Sequence, residues 1–183
     1  MRSENRNITD RNTAGTEKSE TEMGTVFESE NIRFVEVSED LIGDYLVMVN
    51  DTENVNRFIG GSRTSYTEED EIRWVRKKLE ENATVYSMIG KSDGEFIGNI
   101  EFMDVSDASG ELGIAITAGK QDMGYGTEAV SAMVSYGREQ LGLNRIWLRT
   151  RPFNTRAIHV YEKCGFSEYD RDGDHIFMEH KER

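Results

Sequence analysis

The chain is expected to fold as an α/β domain built on a mixed, mostly antiparallel central sheet of about six to seven strands, with helices on both faces. Three observations predict this. Short apolar segments with period-two alternation recur along the chain, segments with helical spacing are interleaved with them, and a glycine-rich turn joins an apolar strand directly to a helix. The order they give is strand, two helices, three strands, helix, strand, helix, two strands.

Residues 1–25 carry Ser, Thr, Asn, Glu and Arg with almost nothing to bury. Such a stretch cannot offset its ordering entropy and is expected to be a disordered polar tail, with the folded domain spanning 26–183. Met23, just before the folded pattern, is a candidate alternative translation start. Ile32 to Val37 alternates as a strand, and Ser38 is placed to cap a helix bearing Leu41, Tyr45, Leu46 and Val49. Thr67 with Asp70 forms a capping-box pattern ahead of Ile72, Val75 and Leu79. Val85–Ile89 and Phe96–Val105, joined through Ser92-Asp93-Gly94, read as a hairpin. A turn at Asp107 to Gly110 leads into the strand Glu111–Thr117, with Leu112, Ile114 and Ile116 on one face. A helix over 125–140 buries Ala129, Met133, Val134 and Tyr136, and Gly142 marks its end. Arg145–Arg149 is a strand ended by Pro152; a helix capped by Asn154 and closed by Gly165 follows. Two strands from Phe166 and His175, separated by Asp172-Gly173, complete the order.

Composition excludes several classes. Lys and Arg total 22 against 35 Asp and Glu, a formal charge of -13, which opposes nucleic-acid binding. The acidity is read either as a solvated surface, including one adapted to high salt, or as an acidic mouth for a cationic amine. One cysteine, Cys164, allows no intrachain disulfide and suits a reducing compartment; three scattered histidines form no helical metal pair. No apolar run is long enough for a membrane span and the start lacks a signal-peptide core. The expectation is a cytoplasmic protein without metal, membrane or nucleic-acid partner.

Two segments carry the functional signal. In Gln121-Asp122-Met123-Gly124-Tyr125-Gly126-Thr127 the glycines let bare backbone amides approach an anion, and the helix that starts there adds unpaired N–H groups and a positive dipole end. No Gly-Lys-Ser/Thr ending marks a nucleotide P-loop, and no third glycine marks a dinucleotide fingerprint. An ordinary strand-to-helix turn is the plain alternative. In the second segment, Asn154 to Phe166, Tyr161 lies seven residues after the cap and so near the same side of its helix. Taken alone, Tyr161 reads as a core residue and Asn154 as a cap.

With both segments in this order, the chain resembles the GNAT superfamily of acyl-CoA-dependent N-acyltransferases. Gln121, Gly124 and Gly126 match the family's Gln/Arg-x-x-Gly-x-Gly/Ala signature. Asn154, Ala157, Tyr161, Glu162, Lys163, Gly165 and Phe166 match its Asn-helix signature. Asn50-Asp51 and Trp74 are similar to the branch holding ribosomal-protein alanine and spermidine acetyltransferases. The resemblance covers roughly Val26 to Lys181 and implies a transferase that uses acetyl-CoA as co-substrate. It implies that the amides of Met123, Gly124, Tyr125, Gly126 and Thr127 bind pyrophosphate, with Gln121 opening the turn. The pantetheine arm would pair with Ile114, Ala115, Ile116 and Thr117 by strand addition, and Asn154 would hold it. Tyr161 would protonate the departing thiolate, and Glu111, where many relatives carry a glutamate, is the candidate base. A backbone N–H of the same strand would receive the oxyanion. Cys164 is expected to be packing rather than a nucleophile.

One branch of the family carries its glutamate base where this chain has Arg149, so that position cannot serve. Ala118-Gly119-Lys120 replaces a segment that often contains proline. Asn50, Asp51, Glu53 and Asn54 could frame an acceptor pocket or form a polar loop. The expected acceptor is a primary amine, a protein N-terminus or an amine-bearing small molecule, with a homodimer left open. The alternative is a non-catalytic acyl-CoA-binding module. Gly124→Val is expected to weaken acetyl-CoA binding while leaving the fold largely intact.

Overall fold

The computed structural model describes residues 24–59 and 65–181. Eight strands form one sheet: β1 (Thr25–Glu28), β2 (Ile32–Glu36), β3 (Val85–Gly90), β4 (Phe96–Ser106), β5 (Ser109–Ile116), β6 (Arg145–Thr150), β7 (Phe166–Arg171) and β8 (Ile176–His180). Their spatial order is β1-β2-β3-β4-β5-β6-β8-β7. Every neighbouring pair is antiparallel except β5 with β6. Four α-helices are α1 (Ile42–Val49), α2 (Glu68–Glu80), α3 (Tyr125–Glu139) and α4 (Thr155–Lys163). The mixed sheet with its helices agrees with the expected class and has one strand more than the upper end of the expected six to seven.

That extra strand is β1. Thr25, placed in the expected tail, begins it, and Phe27 stacks on Phe34 of β2 and on Tyr136 of α3. Residues 1–23, the rest of the expected tail, and the candidate start at Met23 lie outside the described residues.

Local chemistry sets the other elements. Ser38 accepts from the Asp40 N–H and caps a short 3-10 turn, Glu39–Leu41, that runs into α1. The Thr67–Asp70 capping box forms in both directions at the start of α2. Of the face expected there, Val75 is fully buried, Ile72 packs partly, and Leu79 is exposed. The β4–β5 hairpin turns on two residues only, Asp107 and Ala108, both with positive φ (49° and 59°), as a tight two-residue turn requires. Ser109 and Gly110 therefore belong to β5 rather than to the turn.

Two apolar clusters sandwich the sheet. Ile97, Ile100, Leu112, Ile146, Leu148 and Met178 meet Val130, Met133 and Tyr161 of α3 and α4 on one face. On the other, Val35, Val85, Ile89 and Phe96 meet Tyr45, Met48 and Val75 of α1 and α2. Strand alternation thus gives β5 two sides: Leu112, Ile114 and Ile116 turn toward α3 and α4, Glu111, Gly113 and Ala115 toward α1 and α2.

Candidate active site

The site originates where two strands separate. The parallel pairing of β5 and β6 covers only Ser109↔Arg145, Gly110↔Ile146 and Glu111↔Trp147, although β5 continues to Ile116 and β6 to Thr150. Burial records the separation: Glu111 and Leu112 are buried, whereas every residue from Gly113 to Thr117 is partly exposed. The Thr117 N–H donates to the Ile97 oxygen of β4 at 2.9 Å. By alternation the main-chain groups of Ala115 also face β4, and those of Ile114 and Ile116 face the opening. The Ile116 carbonyl is already taken, accepting from Gln121 Nε2 at 2.8 Å. Of the four residues expected to line this edge, Ile114 therefore offers both its main-chain groups and Ile116 its N–H. Ala115 contributes only a small side chain on the α1/α2 face, and Thr117 lies just past the end of β5 with its N–H turned to β4, so neither offers main-chain groups to the edge as expected.

Beyond β5 the chain makes a 3-10 turn at Ala118–Lys120, then reaches the glycine segment. Gly124 is the N-cap of α3 with φ 90° and ψ -14°, and no side chain caps the helix. The first-turn N–H groups of Tyr125, Gly126 and Thr127 have no intrahelical acceptor by construction, so this end attracts an anion. Met123 stands 61% exposed beside it. A Cβ on Gly126 would meet Ile116 Cδ1 at 3.5 Å and Val160 Cγ1 at 3.7 Å, ordinary contacts. A Cβ on Gly124 would meet nothing within 4 Å, but its left-handed backbone is strained for any side chain and worst for a β-branched one. Gly124→Val therefore carries a stability cost that the sequence-based expectation of a largely intact fold did not include. Gln121 opens the turn as expected, and its Nε2 also donates to the Asn54 carbonyl at 3.3 Å, tying the turn to the α1–α2 connection. Arg156 of α4 pairs with Asp122 at 3.3 Å on the other side.

Asn154 caps α4 through Oδ1, which accepts from the Ala157 N–H at 3.3 Å; among the described residues its Nδ2 has no partner. Tyr161 is buried, its ring 6.0 Å from that of Phe166. Burial, with a smaller contribution from Cys164, pushes its hydroxyl up to about 12. It is neutral across the physiological range and carries a proton to donate. Cys164 is half-buried, sharing contacts with Ser131 Oγ and the Thr127 carbonyl at 3.5 Å, and burial pushes its thiol up, away from thiolate chemistry.

Glu111 is 3% exposed at the last paired position of β5, and its partner is Arg149, Nε to Oε1 at 3.0 Å. Burial raises the carboxyl above its ordinary value, while the guanidinium pulls the other way and Asp104 and Glu101 add to the rise. Arg149, excluded above as a base, thus holds the candidate base. Two neighbours escaped the sequence reading. Glu101 of β4 pairs with Lys78 of α2 at 2.6 Å, and a Cβ on Gly113 would sit 3.5 Å from Glu101 Cγ. Only Gly113 and Ala115 separate the β4 side chains from the opening. Cross-strand register carries this, and period-two patterning alone does not show it. Among the described residues no cluster of three His, Cys, Asp or Glu side chains could hold a metal, and no helix is long and apolar enough to cross a membrane.

Comparisons with known proteins show the family and the fold. Residues 31–167 match the family described as acetyltransferase (GNAT) domain. The chain is similar to the uncharacterized N-acetyltransferase YnaD of Bacillus subtilis, 31% identical over 101 residues, covering 55% of this chain and 59% of that one. It is 26% identical over 129 residues to the spermidine N(1)-acetyltransferase of Vibrio cholerae, 69% of this chain and 75% of the relative. A GNAT-family acetyltransferase structure from Bacillus anthracis has the same fold, with TM-score 0.71 and 22% identity over 83% of this chain and 95% of that one. The family match takes in both walls of the opening, the glycine turn and the tyrosine helix, and the protein belongs to the GNAT acetyltransferase family.

Proposed function

We propose that this domain transfers the acetyl group of acetyl-CoA to a primary amine by direct attack, without a covalent enzyme intermediate. The observation that carries the reading is the unpaired edge of β5 running into an uncapped helix start. An extended arm can add as a strand at Ile114 and Ile116 while its pyrophosphate meets the amides of residues 123–127. Acetyl-CoA supplies the activated thioester; the chain positions it and moves the protons.

Asn154 Nδ2, left over from the cap, holds the arm. Glu111 accepts the proton that the amine must lose; being buried and bonded to Arg149, it works through water. The Ile114 N–H receives the negative charge that develops on the carbonyl oxygen. Tyr161 faces the leaving sulfur. A thiol of ordinary pKa near 8.5 is more acidic than a phenol at about 12, so complete transfer would be uphill by roughly 5 kcal/mol. Tyr161 therefore acts first as a hydrogen-bond donor to the nascent thiolate and gives up its proton only as the thiolate becomes more basic in the buried site. Thiol release from acetyl-CoA across a panel of amines and N-terminal peptides, run beside a calorimetric titration with acetyl-CoA, tests this. Tight binding with no release on any acceptor returns the non-catalytic module.

A further inference from the structure

A chain of buried hydrogen bonds crosses the sheet on the acceptor side and ends at a side chain that no role above uses. The Ser38 N–H donates to Tyr45 Oη at 3.2 Å, Tyr45 Oη lies 2.7 Å from Ser87 Oγ, and Ser87 Oγ donates to Asn99 Oδ1 at 2.9 Å. Tyr45 and Ser87 are both 0% exposed. Ser87 has one hydroxyl hydrogen and spends it on Asn99, so the Tyr45 hydrogen must point to Ser87 and every donor in the chain points one way. Asn99 Oδ1 is thereby fixed toward β3, and its Nδ2, with two N–H groups, is the branch left free. Asn99 is partly exposed, and among the described residues Nδ2 has no partner.

The register says what this amide faces. Ser87, Asn99 and Ala115 form one row across β3, β4 and β5 on the α1/α2 face. Ala115 is the small residue next to the unpaired β5 edge, so the Asn99 amide stands one strand back from the opening with only a methyl group between. The two carboxylates nearby, Glu101 and Glu111, are matched by Lys78 and Arg149. The strand carboxylates beside Asn99 are thus each engaged by a cation. Asn99 itself offers a preset hydrogen-bond donor.

Resting on the acetyltransferase reading, we propose that Asn99 is a specificity-determining residue of the acceptor side. Its Nδ2 donates to a carbonyl oxygen adjacent to the reacting amine, as found in an amino-acid amide or at the N-terminus of a peptide. In a polyamine the one deprotonated nitrogen is the attacking one, and the remaining ammonium groups have no lone pair to accept this bond. Tyr45 and Ser87 are positioning residues that keep the donor branch turned outward.

Steady-state thiol release with alaninamide, a short peptide of free N-terminus and 1,4-diaminobutane tests the assignment. The wild-type enzyme prefers the two carbonyl amines, and comparing them tells a free amide from a peptide end. Asn99→Asp keeps the acceptor for Ser87 but removes the outward donor. It should lower kcat/KM for both carbonyl amines by about tenfold, chiefly through KM, with the diamine unchanged or improved. Asn99→Leu should do the same. Ser87→Ala frees the amide to flip and should raise KM for the carbonyl amines by about twofold with kcat kept. A diamine used as well as alaninamide, or Asn99 variants that affect all three amines alike, overturns the role of Asn99 and leaves acetyl transfer standing. No release from any amine overturns both.

Discussion

Two glycines, two residues apart, should respond in opposite ways to the same added methyl group. Gly124 sits at φ 90° with open space around it, so Gly124→Ala meets a backbone penalty and no clash. A left-handed alanine costs about 1–2 kcal/mol. For a chain of this size each kcal/mol shifts the melting temperature by roughly 2–4 °C, so Gly124→Ala should melt roughly 2–8 °C lower. Gly126 lies within the first turn of α3, and its new methyl would touch Ile116 and Val160 at 3.5 to 3.8 Å. Gly126→Ala should be neutral or stabilising by up to about 1 kcal/mol. Affinity should separate in the same sense. Relaxing φ at Gly124 rotates the peptide planes that aim the amides, and acetyl-CoA binding should weaken by about tenfold or more. The Gly126 methyl points into packing rather than at the anion and should leave affinity within about twofold, under half a kcal/mol. Differential scanning calorimetry reads the first quantity and isothermal titration with acetyl-CoA the second. If Gly124→Ala binds like wild type, the amides of this turn do not seat the pyrophosphate; if folded Gly126→Ala loses affinity as Gly124→Ala does, its methyl meets the anion rather than the packing.

Three further predictions follow from the site. Tyr161→Phe keeps the buried ring and removes the hydroxyl, so kcat should fall by about 10²-fold with KM for acetyl-CoA little changed; a wild-type single-turnover rate would make Tyr161 a packing residue. Arg149→Met removes the cation that lowers the Glu111 carboxyl against burial. Glu111 should titrate higher still and the acid limb of the kcat/KM profile should move to higher pH, while a limb that stays in place would exclude Glu111 as base. Glu71 of α2, 5% exposed, is raised above its ordinary 4.5 by burial and by Asp70 beside it. A raised carboxyl favours the folded state while protonated, and that contribution is lost as pH rises through its folded value. Glu71→Gln should therefore match wild type in melting temperature at low pH and exceed it increasingly above, and a gap that does not change with pH would refute this.

Much of this was legible in the sequence because it is local. The Thr67–Asp70 box, the Asn154 cap and the Gly124 turn each depend on residues within a few positions of one another, and all three appear where the pattern put them. What the pattern missed depends on register. β1 is four residues long and its Phe27 is recognisable as core only once Phe34 and Tyr136 stand on either side. Leu79 fits an apolar helical stripe yet falls at the end of α2 beyond the edge of the cluster, where it meets solvent. The Glu111–Arg149 pair needs the parallel register of β5 and β6, and the Asn99 row needs three strands aligned. Neither has a signature in the one-dimensional spacing.

The single parallel seam also bears on how the molecule assembles. Strands β2 to β5 and strands β7 to β8 pair with near neighbours, through hairpins or short returns, apart from the helical excursion between β2 and β3. The seam instead joins Ser109 to Arg145 across the whole of α3, and does so with three residue pairs. Closing that span is rewarded by only those three pairs, so the seam is expected to be one of the weaker sheet contacts. A ligand that lies along β5 and is held from α4 bridges the two sides. At one hundred times its dissociation constant it would add about 2.7 kcal/mol to the folded state. A ligand bound along the split would thus also be the clasp that closes it.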